Sequence, residues 1–87
     1  MPERRLPREE IGERGVQIYE HKLRLILEPQ FNGQFVAIDV ESEDYEVASE
    51  ARDASIRLRE RHPEAQVLVE RVGYPAAFVA LNWRNQP

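Results

Sequence analysis

Proline is the residue that most limits how this chain can fold, because its ring removes a backbone donor and clashes with the preceding turn of a helix. Pro7, Pro29, Pro63 and Pro75 divide the 87 residues into short segments, and each segment has to be read for the element it can hold. From Arg8 to Leu27 nothing interrupts. At 100° per residue Ile11, Gly15, Ile18, Tyr19, Leu25 and Ile26 fall on one side, flanked by Val16, Leu23 and Leu27. That pattern predicts an amphipathic helix. Gly12 and Gly15 each cost about 1 kcal/mol against alanine and would allow a start only near Gly15. Residues 22–28 stay open between helix and strand, since Leu23, Leu25 and Leu27 also alternate. The apolar arc spans roughly 200°, more than one core-facing stripe requires, so part of it is available to another chain.

After Pro29, Asn32-Gly33 is turn chemistry, and Phe35 to Val40 is a β-branched and aromatic run of strand length. Glu41 to Asp44 reverses the chain, and Tyr45 to Val47 returns as a partner strand, making a hairpin. Ser49 is placed to cap a helix from Glu50 to about Arg61, closed by Pro63, with Ala51, Ala54, Ser55, Leu58 and His62 inward and Ile56 on the opposite side. Ala65 to Val72 reads as a central strand, with Val67 and Val69 on one face and Leu68 and Val72 on the other. Gly73-Tyr74-Pro75 marks a turn, and Ala76 to Trp83 is apolar enough for an edge strand. The expected fold is a single α+β domain over residues 1–87, with the first eight frayed. It comprises an N-terminal helix, a β-hairpin, a helix and one or two further strands, in a sheet of three to four strands with helices on one face.

A chain of this size buries roughly 60 to 65% of the surface its unfolded form exposes, which supplies one core and little depth for a pocket. The absence of cysteine excludes disulfides, thiol nucleophiles and iron–sulfur ligation, and agrees with a reducing cytoplasmic setting. No apolar run approaches the roughly 20 residues of a membrane span. Charge is unevenly placed. Residues 1–24 carry five acids and six bases, residues 28–50 seven acids and no base, and residues 51–87 four acids and six arginines; the blocks of +1, −7 and +2 sum to −4.

The acidic strip Asp39, Glu41, Glu43, Asp44 and Glu46 lacks the glycine-kinked spacing of a calcium loop and reads as a solvated hairpin, or as a surface for a basic partner. Its carboxylates have no nucleophile or oxyanion donor to pair with. His21 and His62 point to no third metal ligand. Arg52, Arg57, Arg59, Arg61 and Arg71 are interleaved with acids, and with a pI near 5.2 nucleic-acid binding is not expected. Neither a metal nor any other cofactor is expected.

The segments Ile18-Tyr19-Glu20, Glu28-Pro29, Gly33-Gln34-Phe35-Val36-Ala37-Ile38-Asp39, Asp44-Tyr45-Glu46, Leu58 to Ala65 and Arg71 to Ala77 together resemble a family of short uncharacterised prokaryotic proteins. The resemblance covers roughly residues 12–78. It implies a gene often placed beside one for a retroviral-like aspartic protease, and it carries over no functional residue. The chain is more apolar than the family pattern from Phe78 to Trp83.

The functional expectation rests on surplus apolar residues: Ile56 away from the inward face of its helix, Val16, Leu23 and Leu27 at the borders of the first helix, and Phe78, Leu81 and Trp83 near the C-terminus. These mark a non-catalytic protein–protein interaction module, forming a homo-oligomer or binding an aspartic-protease-like neighbour. The alternative is an antitoxin-like small regulator of a toxic partner.

Overall fold

The computed structural model describes residues 5–74. The chain begins with α1 (Arg8–Ile18), passes through one π-helical stretch (Tyr19–Leu23) and ends its first helical rod with α2 (Arg24–Leu27). Then follow β1 (Phe35–Asp39), β2 (Tyr45–Ala48), α3 (Ala51–Arg61) and β3 (Val67–Arg71). The strands form one antiparallel sheet in the order β2-β1-β3. The expected α+β class and element order hold through β3; the expected edge strand from Ala76 to Trp83 lies outside the described residues.

One part of the expected arrangement is corrected. The two helices cover opposite faces of the sheet, not one face. On the first face Val36, Ile38 and Val72 pack with Tyr19, Leu23 and Leu27 of the N-terminal rod. On the second, Ala37 and Ala48 pack with Ala54 and Leu58 of α3, and Val67 and Val69 border them. Alternation along a strand sends neighbouring residues to opposite faces, so the run Val36-Ala37-Ile38 is buried throughout only because both faces are covered. The small residues on the second face let α3 lie close.

The first rod is helical from Arg8, where the Ile11 amide donates to the Pro7 carbonyl at 3.0 Å. Its lead-in is tied to the sheet side by the Leu6 amide, which donates to Gln66 Oε1 at 2.7 Å. Gly15, Tyr19, Leu23 and Leu27 are buried, a strict four-residue spacing. In a regular α-helix that spacing drifts by about 40° per step, so three steps would carry the last residue well off the face of the first. The π-helical stretch, in which the Arg24 amide donates to the Tyr19 carbonyl five residues back, rotates less per residue and takes up part of the drift. A uniform 100° reading therefore misplaces the second half of the rod. Leu25 and Ile26, expected inward, are 84% and 51% exposed, whereas Leu23 and Leu27, expected at the border of a partner surface, are core. Residues 22–28 are helical to Leu27.

Gly15 is explained by the packing. A Cβ built there would lie 2.7 Å from the Leu68 Cβ and nearer still to its Cδ2, so the rod crosses β3 at a distance only glycine permits. The clash reaches the root of Leu68, and moving the tip of that side chain does not relieve it. Gly12 meets nothing within 4 Å. Ser49 does not cap α3: Glu50 precedes the helix with extended backbone, and no side-chain cap bond forms.

The two glycines should accordingly respond in opposite directions. Gly15→Ala is expected to lower stability by about 1–3 kcal/mol through overpacking, while Gly12→Ala should raise it by about 0.5–1 kcal/mol through helix propensity. Urea unfolding followed by circular dichroism measures both.

Candidate interaction surface

The acidic strip is largely answered by bases from other elements. Arg61, in the last turn of α3, donates through Nη1 to Asp44 Oδ2, through Nε at 3.0 Å and Nη2 at 2.6 Å to Glu46 Oε2, and through Nη2 to the Tyr45 carbonyl at 3.0 Å. A planar guanidinium is the side chain that can span two carboxylates and a carbonyl at once. The His62 ring lies with Nε2 2.8 Å from Asp44 Oδ2, and Lys22 Nζ reaches Glu43 at 3.4 Å from the first rod. The His62 hydrogen bond, helped by the Tyr45 amide and Arg61, pulls the Asp44 carboxyl down from 3.8 to about 2.

Asp39 is buried at 5% exposure and organises the β1–β2 turn: its carboxylate accepts from Ser42 Oγ at 2.8 Å, the Glu41 amide at 3.2 Å and the Gln66 amide at 3.4 Å. The carboxylates that sequence reasoning weighed for acid–base work, Asp39 and Asp44, are thus committed to turn geometry and to the α3 latch. Among the described residues no group of three or more acids and histidines is arranged to hold a metal ion. Glu43 sits at φ 67°, in the left-handed region, as the turn requires.

Behind the strip, the end of the first rod is fixed by Tyr19. This phenol is 1% exposed, donates to Glu28 Oε2 at 2.5 Å and accepts from the Gly73 amide at 3.1 Å. Burial, then the Glu28 hydrogen bond, push its pKa up to about 12. Gly73 has φ 89°, and a Cβ there would lie 2.8 Å from the Asn32 side chain, so its amide is presented by a backbone that favours glycine. Arg71 lies on the opposite side of β3 from Glu70, with its guanidinium 4.6 Å from the Tyr74 ring centroid and 5.6 Å from that of Phe35.

Among the described residues the apolar surface left over is small. Leu25 and Ile26 are adjacent and exposed on the last turn of the rod, Tyr74 is 52% exposed beyond β3, and Ile56 is 45% exposed on the outer side of α3. Ile56 lies in a shallow depression lined by Arg52, Ser55, Arg59 and Glu60 of its own helix. Of the sequence-derived partner residues, Ile56 is therefore on the surface, Val16 is half-buried, and Leu23 and Leu27 are withdrawn into the core. Phe78, Leu81 and Trp83 lie outside the described residues. Leu25 and Ile26 were missed as surface residues because a uniform 100° per residue makes no allowance for the π-helical stretch that turns them outward.

Among the described residues no helix is long and apolar enough to cross a membrane. Comparison of the chain with protein-family models, curated proteins and solved structures returns no match.

The Asp44 latch predicts a definite acid response. A carboxyl whose pKa is lowered on folding contributes stability that is full above 3.8 and is lost as pH falls toward about 2. Asp44→Asn should lower the urea midpoint at neutral pH and flatten its fall across that interval. Denaturation midpoints collected from pH 6 to pH 2 on both proteins measure the difference.

Proposed function

We propose that this protein is a non-catalytic, cytoplasmic interaction module that associates with a second copy of itself through the outer face of its first helical rod. The observation that carries this reading is the pair Leu25 and Ile26, 84% and 51% exposed on one helical turn whose inner side is already saturated by Leu23 and Leu27. Lone exposed apolar residues are ordinary; two large aliphatic neighbours on a 70-residue described surface form a point at which water is displaced on contact. Lys22, Arg24 and Glu28 flank them in sequence, and these charges are already held in ion pairs on the same chain, Lys22 with Glu43 and Arg24 with Glu20 and Glu28. The rim is thus polar and mostly neutralised around an apolar centre, as in the anatomy of protein interfaces. An aspartic-protease-like neighbour is the competing occupant of the same face.

Sedimentation velocity at high micromolar concentration tests the reading. The wild type should sediment as a dimer or larger, and the double variant Leu25→Glu, Ile26→Lys should be monomeric with an unchanged far-ultraviolet spectrum and urea midpoint, since neither side chain supports the core. A wild type that stays monomeric at every concentration rejects self-association.

A further inference from the structure

Glu70 is a carboxylic acid placed where a folded chain ordinarily puts an aliphatic residue. It sits in β3 opposite Val36 and is 3% exposed. Both of its carboxyl oxygens are inaccessible, and among the described residues neither has a hydrogen-bond partner. A buried polar group without a partner costs free energy, and a buried unpaired charge costs far more, so the neutral form is the one this site can hold.

Its position gives that cost a direction. Leu68, Glu70 and Val72 share one face of β3, the face under the first rod. The rod touches down at two points: Gly15 over Leu68, and the Tyr19 hydroxyl on the Gly73 amide. Glu70 lies between them along the strand. Titratable groups on the elements packed against this face are Arg8, Glu9, Glu10, Glu13, Arg14, Tyr19, Glu20, His21, Lys22 and Arg24 of the rod, Glu28 just past its end, and Tyr45 from β2; β1 presents Val36 and Ile38. Of the cations on the rod, Arg14 pairs with Glu10, Arg24 with Glu20 and Glu28, and Lys22 with Glu43. Glu20 instead adds a like charge near Glu70.

We propose that Glu70 is a proton-controlled latch for the first helical rod: protonated, it lets the rod seat on the sheet, and on losing its proton it favours a state in which the rod lifts away while the sheet stays packed on α3. The second face can persist because it has its own cluster, Ala37, Ala48, Ala54 and Leu58, and the Arg61 contacts to Asp44 and Glu46. Opening of one cooperative unit while another remains closed is a general property of folded domains. Lifting the rod bares Tyr19, Leu23 and Leu27 on the same segment that displays Leu25 and Ile26, so deprotonation enlarges the apolar surface. The latch stands whether or not the chain self-associates.

Burial, and secondarily Glu20, raises the Glu70 carboxyl from 4.5 to about 8 in the closed state. A group that holds its proton when closed and releases it when open favours the closed state at low pH. That advantage is lost as pH rises from 4.5 to about 8 and changes no further above it.

Amide hydrogen exchange on the full chain, corrected for the intrinsic pH dependence of the chemical step, reads this directly. In the wild type, protection of residues 8–27 should fall about tenfold per pH unit inside that window while protection of α3 holds, and in Glu70→Gln the protection of the rod should be independent of pH. Equal loss across the rod and α3, or the same slope in Glu70→Gln, overturns the latch. Carboxyl carbon-13 titration of wild-type Glu70 decides the matter even if the variant does not fold: a midpoint near 8 supports the proposal, and one near 4.5 overturns it.

Discussion

The fold depends on how the first helical rod is held against β3. A three-stranded sheet has two faces to keep from water, and α3 covers one of them. The other is closed only if the rod comes close enough for Tyr19, Leu23 and Leu27 to meet Val36, Ile38 and Val72. Two local features permit it. Glycine at position 15 removes the side chain that would strike Leu68, and the Tyr19 hydroxyl joins the carboxylate of Glu28, just past the rod, to the backbone of Gly73, just past the strand. A buried phenol must find polar partners, and here the partners are the two chain segments that have to be brought together.

The second helix is secured differently. Its inner side is small and apolar, and its C-terminal end reaches over the β1–β2 turn, where Arg61 and His62 meet Asp44 and Glu46. Exposed ion pairs contribute little to stability individually, so the value of this cluster lies in register: one guanidinium fixes the angle between the helix end and the hairpin. Seven acids without a base in residues 28–50 would repel one another in isolation, and the fold brings cations from both helical elements to the strip. With the charges so committed, apolar contact is the stronger basis for recognition on this molecule.

Much of this was legible in the amino-acid sequence, and what was not has a physical cause. Pro29 and Pro63, the β-branched and aromatic run Phe35 to Val40 and the inward-facing Ala51, Ala54 and Leu58 were sufficient to place the hairpin and the second helix within a residue or two. The assignment of helices to faces was not, because a run such as Val36-Ala37-Ile38 is apolar at every position and does not say which side is covered by what. The outward turn of Leu25 and Ile26 depends on the π-helical stretch, which keeps Tyr19, Leu23 and Leu27, spaced by four, on the buried side. Glu70 shares the strand face of Leu68 and Val72, but the burial of its carboxyl is a tertiary fact without a local signal. The candidate surface was legible in kind, as surplus apolar residues, and only in part by residue: Ile56 was found, and Leu23 and Leu27 exchanged places with their neighbours.

The rod is thus held by a compact polar bridge at Tyr19 and an apolar seat, set against the cost of the unpartnered Glu70 carboxyl between its contact points. The bridge is the part on which everything else rests, and a double-mutant cycle on Tyr19→Phe and Glu28→Gln addresses it most directly. If the phenol holds the rod through Glu28, each single change should lower stability, Tyr19→Phe by about 1–3 kcal/mol, and the pair should couple by about 1 kcal/mol or more. Changes that simply add, to within about 0.5 kcal/mol, would show that the hydroxyl and the carboxylate do not act together and would contradict the account of Tyr19 as a bridge through Glu28.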